Sequence, residues 1–276
     1  MEYKEEVKRV FNIAAPKFDK IGTPFFQIFG KSLVDKIEFD YEMKVLDVAC
    51  GNGSTLIPTA KLLENSGEVT GIDIAPNMIE QLIEKIMLNN LSNARAGLMD
   101  AENLQFPDKY FDVVICGFGL FFFHDFLKAI EEIKRVLKDG GIFVFSTWNK
   151  KYRMTWLMEE MGKYIPDIES VKRGVTYNNG IVIDNLYSIS GIKKILNYTN
   201  LELEALFTNT IEVVNKNEDE WIEKWWHSGF RLYFELISDE DYPMLEKSVR
   251  KNLQKYRSNG NLTYNMSAFF VFTSKK

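Results

Sequence analysis

Between residues 41 and 148 the chain alternates short β-branched apolar runs with stretches whose apolar positions recur every three or four residues. Val45-Leu46-Asp47-Val48-Ala49 predicts a buried strand, followed by a glycine-bearing turn and then Leu56, Ala60, Leu62 and Leu63 at helical spacing. Residues 68–74 predict a second strand, and residues 77–89 a helix with Met78, Ile79, Leu82, Ile83 and Ile86 on one face. A further strand is expected at 112–116, a helix at 126–137 and a strand at 141–146. Strands and helices that alternate at this spacing build βαβ units around a parallel sheet with both faces covered, so the class is α/β.

The flanks are patterned differently. Val7, Val10, Phe11 and Ala14 predict a helix that breaks at Gly22, Pro24 and Gly30; preceding the first strand, this segment can pack across the carboxyl edge of the sheet. Residues 149–190 are irregular, with a short helix around Met154, Trp156, Leu157, Met158 and Met161. Residues 188–200 predict a helix capped by Ser188 or Ser190, residues 201–214 a strand, and residues 217–236 an aromatic-rich helix. A charged helix at 239–256 and a last strand at 267–273 complete the pattern. With no repeat, low-complexity tract or flexible linker, it describes one domain with an N-terminal lid and a helical insertion.

Composition narrows the function. Of the 276 residues, 34 are Lys or Arg and 39 Asp or Glu, a net charge of −5, and the basic residues form no run. Phosphate-backbone binding therefore has no electrostatic footprint, which disfavours a nucleic-acid partner. Two distant cysteines, Cys50 and Cys116, exclude a disulfide scaffold, fit a reducing cytoplasmic compartment and, with only two histidines, leave no expected metal site. The opening MEYKEEV mixes charges and predicts no signal peptide, and no apolar stretch is long enough to span a bilayer. All five Trp (148, 156, 221, 225 and 226) follow residue 147, so the two halves of the chain differ in apolar chemistry.

The stretch Asp47-Val48-Ala49-Cys50-Gly51-Asn52-Gly53-Ser54 sits where a strand gives way to a helix. Gly51 and Gly53 allow a tight turn and bring a ligand against bare main chain. A dinucleotide-binding loop would need a third glycine at position 56, which is Leu. Asp73 closes the second strand 20 residues after Gly53, where a carboxylate can accept from both hydroxyls of a ribose, or simply cap the following helix.

VLDVACGNG (45–53), GIDIAPNMI (71–79), MDAENLQFPDKYFDVV (99–114) and EEIKRVLKDGGIFVFSTW (131–148) together resemble class I S-adenosylmethionine-dependent methyltransferases, nearest the ubiquinone/menaquinone-type small-molecule branch. The likeness covers about residues 10–148. It implies a Rossmann-like, seven-stranded, mostly parallel sheet with helices on both faces. It also implies a helical lid at 1–40, a cofactor core at 41–148, a helical, aromatic, substrate-covering region at 149–266 and a final core strand at 267–276. By resemblance, Asp47, Ala49, Gly51, Asn52 and Gly53 lie under the methionine portion of S-adenosylmethionine. Asp73 holds the ribose, Ile74 and Met78 line the adenine, and Asp100 and Ala101 contact its amine and ring. Cys116, Gly117 and Phe118 border the methyl group. Ala49 stands where the wider superfamily has Gly, and Phe18-Asp19 where relatives often show Tyr-Asp, so any hydrogen bond from that Tyr hydroxyl is absent here.

The chemistry expected of such a fold is in-line displacement at a methyl carbon, with no catalytic metal; the protein aligns the reactants and excludes water. A general base is needed only if the acceptor must lose a proton. His124, in the loop after the strand bordering the methyl group, and His227, in the aromatic helix of the insertion, are the candidates, each with a bland alternative as a solvent-facing or core-edge side chain. The partner expected is a small, partly apolar or aromatic methyl acceptor, and the protein a monomer or homodimer. The alternatives are a tRNA or protein methyltransferase, or a protein that binds the cofactor without transferring a methyl group.

Overall fold

The computed structural model describes residues 2–40, 42–64, 66–152, 154–165 and 181–276. The apolar runs become strands β1 (Lys44–Val48), β2 (Glu68–Asp73), β4 (Phe111–Gly117) and β5 (Leu137–Trp148), with edge strand β3 (Ala94–Leu98) before β4. Strands β6 (Leu201–Asn215), β7 (Arg257–Ser258) and β8 (Asn261–Lys275) come from the C-terminal part. The sheet runs β3-β2-β1-β4-β5-β8-β6, with the two-residue β7 paired to β8 off this path. β1 through β5 pair in parallel, and β8 runs antiparallel to β5, β6 and β7. This is the mostly parallel, seven-strand path expected, with one short added strand.

Side chains alternate between the two faces, as the pleat dictates. Val45, Val113, Ile115, Val144, Phe270 and Phe272 join one core, and Leu46, Val114, Cys116, Phe143, Phe145, Phe269 and Val271 the other. Helices α2 (Phe25–Val34), α3 (Leu56–Leu63) and α4 (Pro76–Leu88) cover the first face, and α5 (Phe126–Val136) and α7 (Ile189–Thr199) the second. Between α5 and α7 lies the short α6 (Thr155–Met161), and α1 (Glu2–Ala14) packs against α4. Asp125 caps α5 by accepting from Lys128 N at 3.0 Å, Ser188 caps α7 by accepting from Gly191 N at 3.2 Å, and Asn200 ends α7 in the left-handed region.

The structure differs from the sequence expectation at several places: β3 is an added edge strand, α2 runs through Gly30 where a break is expected, and three elements of the C-terminal part have other bounds. The helix expected over 217–236 is broken into α8 (Glu218–Trp226) and α9 (Arg231–Phe234), because the Ser228 hydroxyl donates to the Trp225 carbonyl at 2.7 Å and closes the first helix. The charged helix α10 is shorter than expected, Tyr242–Leu253. The last strand begins at Asn261, since Asn259 (φ +48°) and Gly260 (φ +82°) form a tight turn joining β7 to β8. Residues 166–180 of the irregular stretch lie outside the described residues.

Trp221 is completely buried and Trp225 nearly so; they pack with Phe25, Leu245 and Tyr264 in the first core. The tryptophan bias of the second half thus marks a hydrophobic core between the insertion and α2.

Candidate active site

A cavity of about 1100 Å³, counting the part open to solvent, lies at the carboxyl ends of β1, β2 and β4. That is where ligands enter open α/β sheets. Its floor is the turn after β1. Ala49 is held at φ +56° and Gly51 at φ +51°; a Cβ at Gly51 would meet nothing within 4 Å, so its main chain faces open space. Ala49 costs about 1 kcal/mol of strain there. It fits because the β4 loop opposite carries Gly119, where a Cβ would lie 2.7 Å from that of Ala49. Gly53 lines no part of the cavity: its Cβ would strike Leu82 at 2.6 Å, so this glycine lets the turn seat on α4.

Asp73 lines the cavity and holds the main chain on either side of it. One carboxylate oxygen accepts from Gly51 N at 2.9 Å and the other from Ala75 N, also at 2.9 Å, so it fixes the turn after β1 and the residue ahead of α4 while lining the cavity. Burial pushes its pKa up, against the pull of these amide donors. Ile74, Met78 and Ala101 line the neighbouring wall with Asp100, which pairs with Lys4 Nζ at 2.8 Å. The same ammonium lies 2.7 Å from Glu102.

Asn52 is buried; its Nδ2 donates to the Phe18 carbonyl at 3.3 Å, joining the turn to the segment between α1 and α2. Its Oδ1 is buried without a partner, and the residue lines the cavity. At the end of β4, Gly117 and Phe118 line the cavity, and Phe118 is held at φ +58° with its ring 4.2 Å from that of Trp148. Two adjacent turns therefore place non-glycine residues in a sparsely populated conformation at one site, which packing on all sides must enforce.

Four predicted residues lie off the cavity wall. Asp47 is fully buried beneath it, accepting from Thr55 Oγ1 at 2.6 Å, and burial pushes its pKa up to about 7. Gly53 faces α4, and Cys116 is buried in the second core. His227 ends α8 without lining the cavity, among Lys17, Arg231 and Glu223; burial lowers its pKa. His124 does line it.

A profile described as "Methyltransferase domain" matches residues 39–247. The chain belongs to this methyltransferase family. Relatives include the aklanonic acid methyltransferase DauC of a Streptomyces species (35% identical over 145 residues, 52% of this chain and 66% of that protein). A demethylmenaquinone methyltransferase of Staphylococcus aureus is 38% identical over 145 residues, 51% of this chain and 59% of that protein. The match thus spans less than two thirds of either relative. In fold, the YcgJ protein of Bacillus subtilis superposes with a TM-score of 0.58 at 20% identity, covering 90% of this chain and 99% of that one.

The methyltransferase cavity has walls that the motifs did not reveal. Lys4, Val7 and Phe11, at i, i+3 and i+7 of α1, all face it, as do Phe18, Phe26 and Phe122. The α1 periodicity and its place across the carboxyl edge of the sheet are legible in the sequence; which of its side chains line the cavity is not. None of the five Trp lines the cavity.

Proposed function

We propose that this chain binds S-adenosylmethionine in the cavity and transfers its methyl group to a small, apolar or aromatic acceptor. The observation that carries the reading is the convergence of Gly51, Asp73, Asp100 and Phe118, from four separate segments, on one cavity. The residues suit the cofactor: bare main chain at Gly51, an unpartnered Asn52 oxygen, and a strand-end carboxylate with lone pairs to spare.

When bound, the cofactor supplies a methyl group activated on a sulfonium. In this reading Asp73 accepts from the ribose hydroxyls, Asp100 and Ala101 border the adenine, and Ile74 and Met78 pack against it. Asn52 holds the polar methionine end. Phe18, Phe26 and Phe118 exclude water from a step that disperses charge; Phe18 and Phe26 stack at 5.0 Å and Phe26 meets Phe118 edge-on at 5.5 Å. Where the acceptor carries an acidic proton, His124 is the base, because it lines the cavity and His227 does not. Lys4, the cation of the wall, is engaged by Asp100 and Glu102, which favours a neutral acceptor over an anionic one. The buried, unpaired Cys50 and Cys116 support a cytoplasmic location.

The test is transfer of labelled methyl from S-adenosylmethionine to a panel of neutral phenols and quinols, with tRNA and protein as comparison acceptors. Labelling of at least one small aromatic acceptor, with loss of activity in His124→Ala only for acceptors that must lose a proton, is expected. Labelling of tRNA or protein alone contradicts the proposal.

A further inference from the structure

Gly229 lies in the turn after α8 and is, among the described residues, the one point where the chain beyond residue 148 lines the cavity. Its backbone is not in the positive-φ region, so the position does not require glycine for its conformation. The requirement is steric. A Cβ there would lie 2.4 Å from Phe122 Cζ, 2.5 Å from Phe122 Cε1 and 3.6 Å from Phe11 Cζ.

The turn itself has little freedom to retreat. The Ser228 hydroxyl donates to the Trp225 carbonyl at 2.7 Å and accepts from Phe230 N at 3.2 Å, and Leu232 N donates to the Gly229 carbonyl at 3.2 Å. The rings of Trp225 and Phe230 pack edge-on at 4.7 Å behind it. Phe122 is braced elsewhere by Phe11, edge-on at 4.9 Å, and by Phe121 at 4.7 Å. It also lines the cavity.

We propose that Gly229 and Phe122 form a size-determining pair for the acceptor: by withholding a side chain, Gly229 lets the Phe122 ring lie back against the turn and opens room for a neutral fused aromatic ring. This rests on reading the cavity as a cofactor-and-acceptor site. The pair belongs to the acceptor side because neither position falls in the motifs assigned to the cofactor, and Phe11, Phe122 and Gly229 present no charge.

The experiment is calorimetry with S-adenosylhomocysteine, then with 1-naphthol or phenol added to that complex. Wild type is expected to bind all three. Gly229→Ala should hold S-adenosylhomocysteine within about twofold and phenol within about threefold, yet weaken 1-naphthol about tenfold or more, as an overpacked wall does. Gly229→Ala combined with Phe122→Leu should recover 1-naphthol. Should Gly229→Ala not fold, Phe122→Leu alone reads the same pair, with the naphthol-to-phenol affinity ratio expected to rise about threefold or more. The proposal is overturned by unchanged naphthol affinity in Gly229→Ala, by equal losses for naphthol and phenol, by no recovery in the double variant, or by an unchanged ratio in Phe122→Leu. It is equally overturned if wild type binds S-adenosylhomocysteine but not 1-naphthol up to about 1 mM. Failure of wild type to bind S-adenosylhomocysteine strikes instead at the cofactor reading.

Discussion

Lys4 Nζ lies 2.8 Å from Asp100 Oδ2, so the N-terminal helix is tied by charge to a carboxylate on the cavity wall. Other contacts of this helix are polar too: Asn12 Oδ1 accepts from Asn77 N at 2.9 Å, and Arg9 pairs with Glu235. Because Lys4 also pairs with the buried Glu102, Lys4→Met should destabilise the fold by about 1 to 3 kcal/mol. It should also speed dissociation of S-adenosylhomocysteine severalfold at low salt, with the gap from wild type shrinking as salt is raised. Stopped-flow dissociation checks this; equal off-rates at low salt would show that the helix does not retain the ligand.

Asp73→Ala should weaken S-adenosylhomocysteine about thirtyfold or more, since it strands two ribose hydroxyls, each worth about 1 to 3 kcal/mol if buried unpaired. Circular dichroism confirms the fold and calorimetry gives the affinity. Near-wild-type affinity in a folded variant would remove Asp73 from the ribose.

Asp47 gives a pH signature. Burial raises its folded pKa to about 7, above the ordinary aspartate value, so the folded state binds the proton more tightly than the unfolded chain. Its contribution to stability is present below the unfolded value and is lost as pH rises through the folded value. Asp47→Asn keeps an acceptor for Thr55 without the charge. Its stability relative to wild type should therefore improve by at least about 1 kcal/mol between about pH 4 and about pH 8. Denaturant melts measure this, and an equal difference at both ends would rule out a buried titration at this site.

Trp221→Phe should lower stability by about 1 to 3 kcal/mol while leaving S-adenosylhomocysteine affinity within about twofold, because Trp221 is wholly buried and off the cavity wall. A folded variant with tenfold weaker binding would show the tryptophan core coupled to the ligand.

What was legible in the sequence followed burial and main-chain geometry. β1, β2, β4 and β5 stood out because strands covered on both faces need continuous apolar runs, and Gly51 and Asp73 because turn and strand-end chemistry is local. β3 escaped notice: as an edge strand it reads Ala-Arg-Ala-Gly-Leu, with only Ala94 buried. Asn259-Gly260 carries a tight-turn signal, and the alternation of Leu262, Tyr264 and Met266 ahead of Ser267 extends the last strand that the apolar run alone begins late. The tryptophans were visible as a bias in composition, but composition does not distinguish a core from a ligand wall. Lys4, Phe11, Phe122 and Gly229 come together at the cavity from distant segments, a meeting that no local pattern encodes.

The most direct measurement is the binding isotherm of S-adenosylhomocysteine to the wild-type chain, with Asp73→Ala as reference. Saturable binding of one equivalent at micromolar concentration, weakened in Asp73→Ala, is expected. No heat of binding up to about 1 mM in a correctly folded wild-type protein would contradict the assignment of this cavity to S-adenosylmethionine.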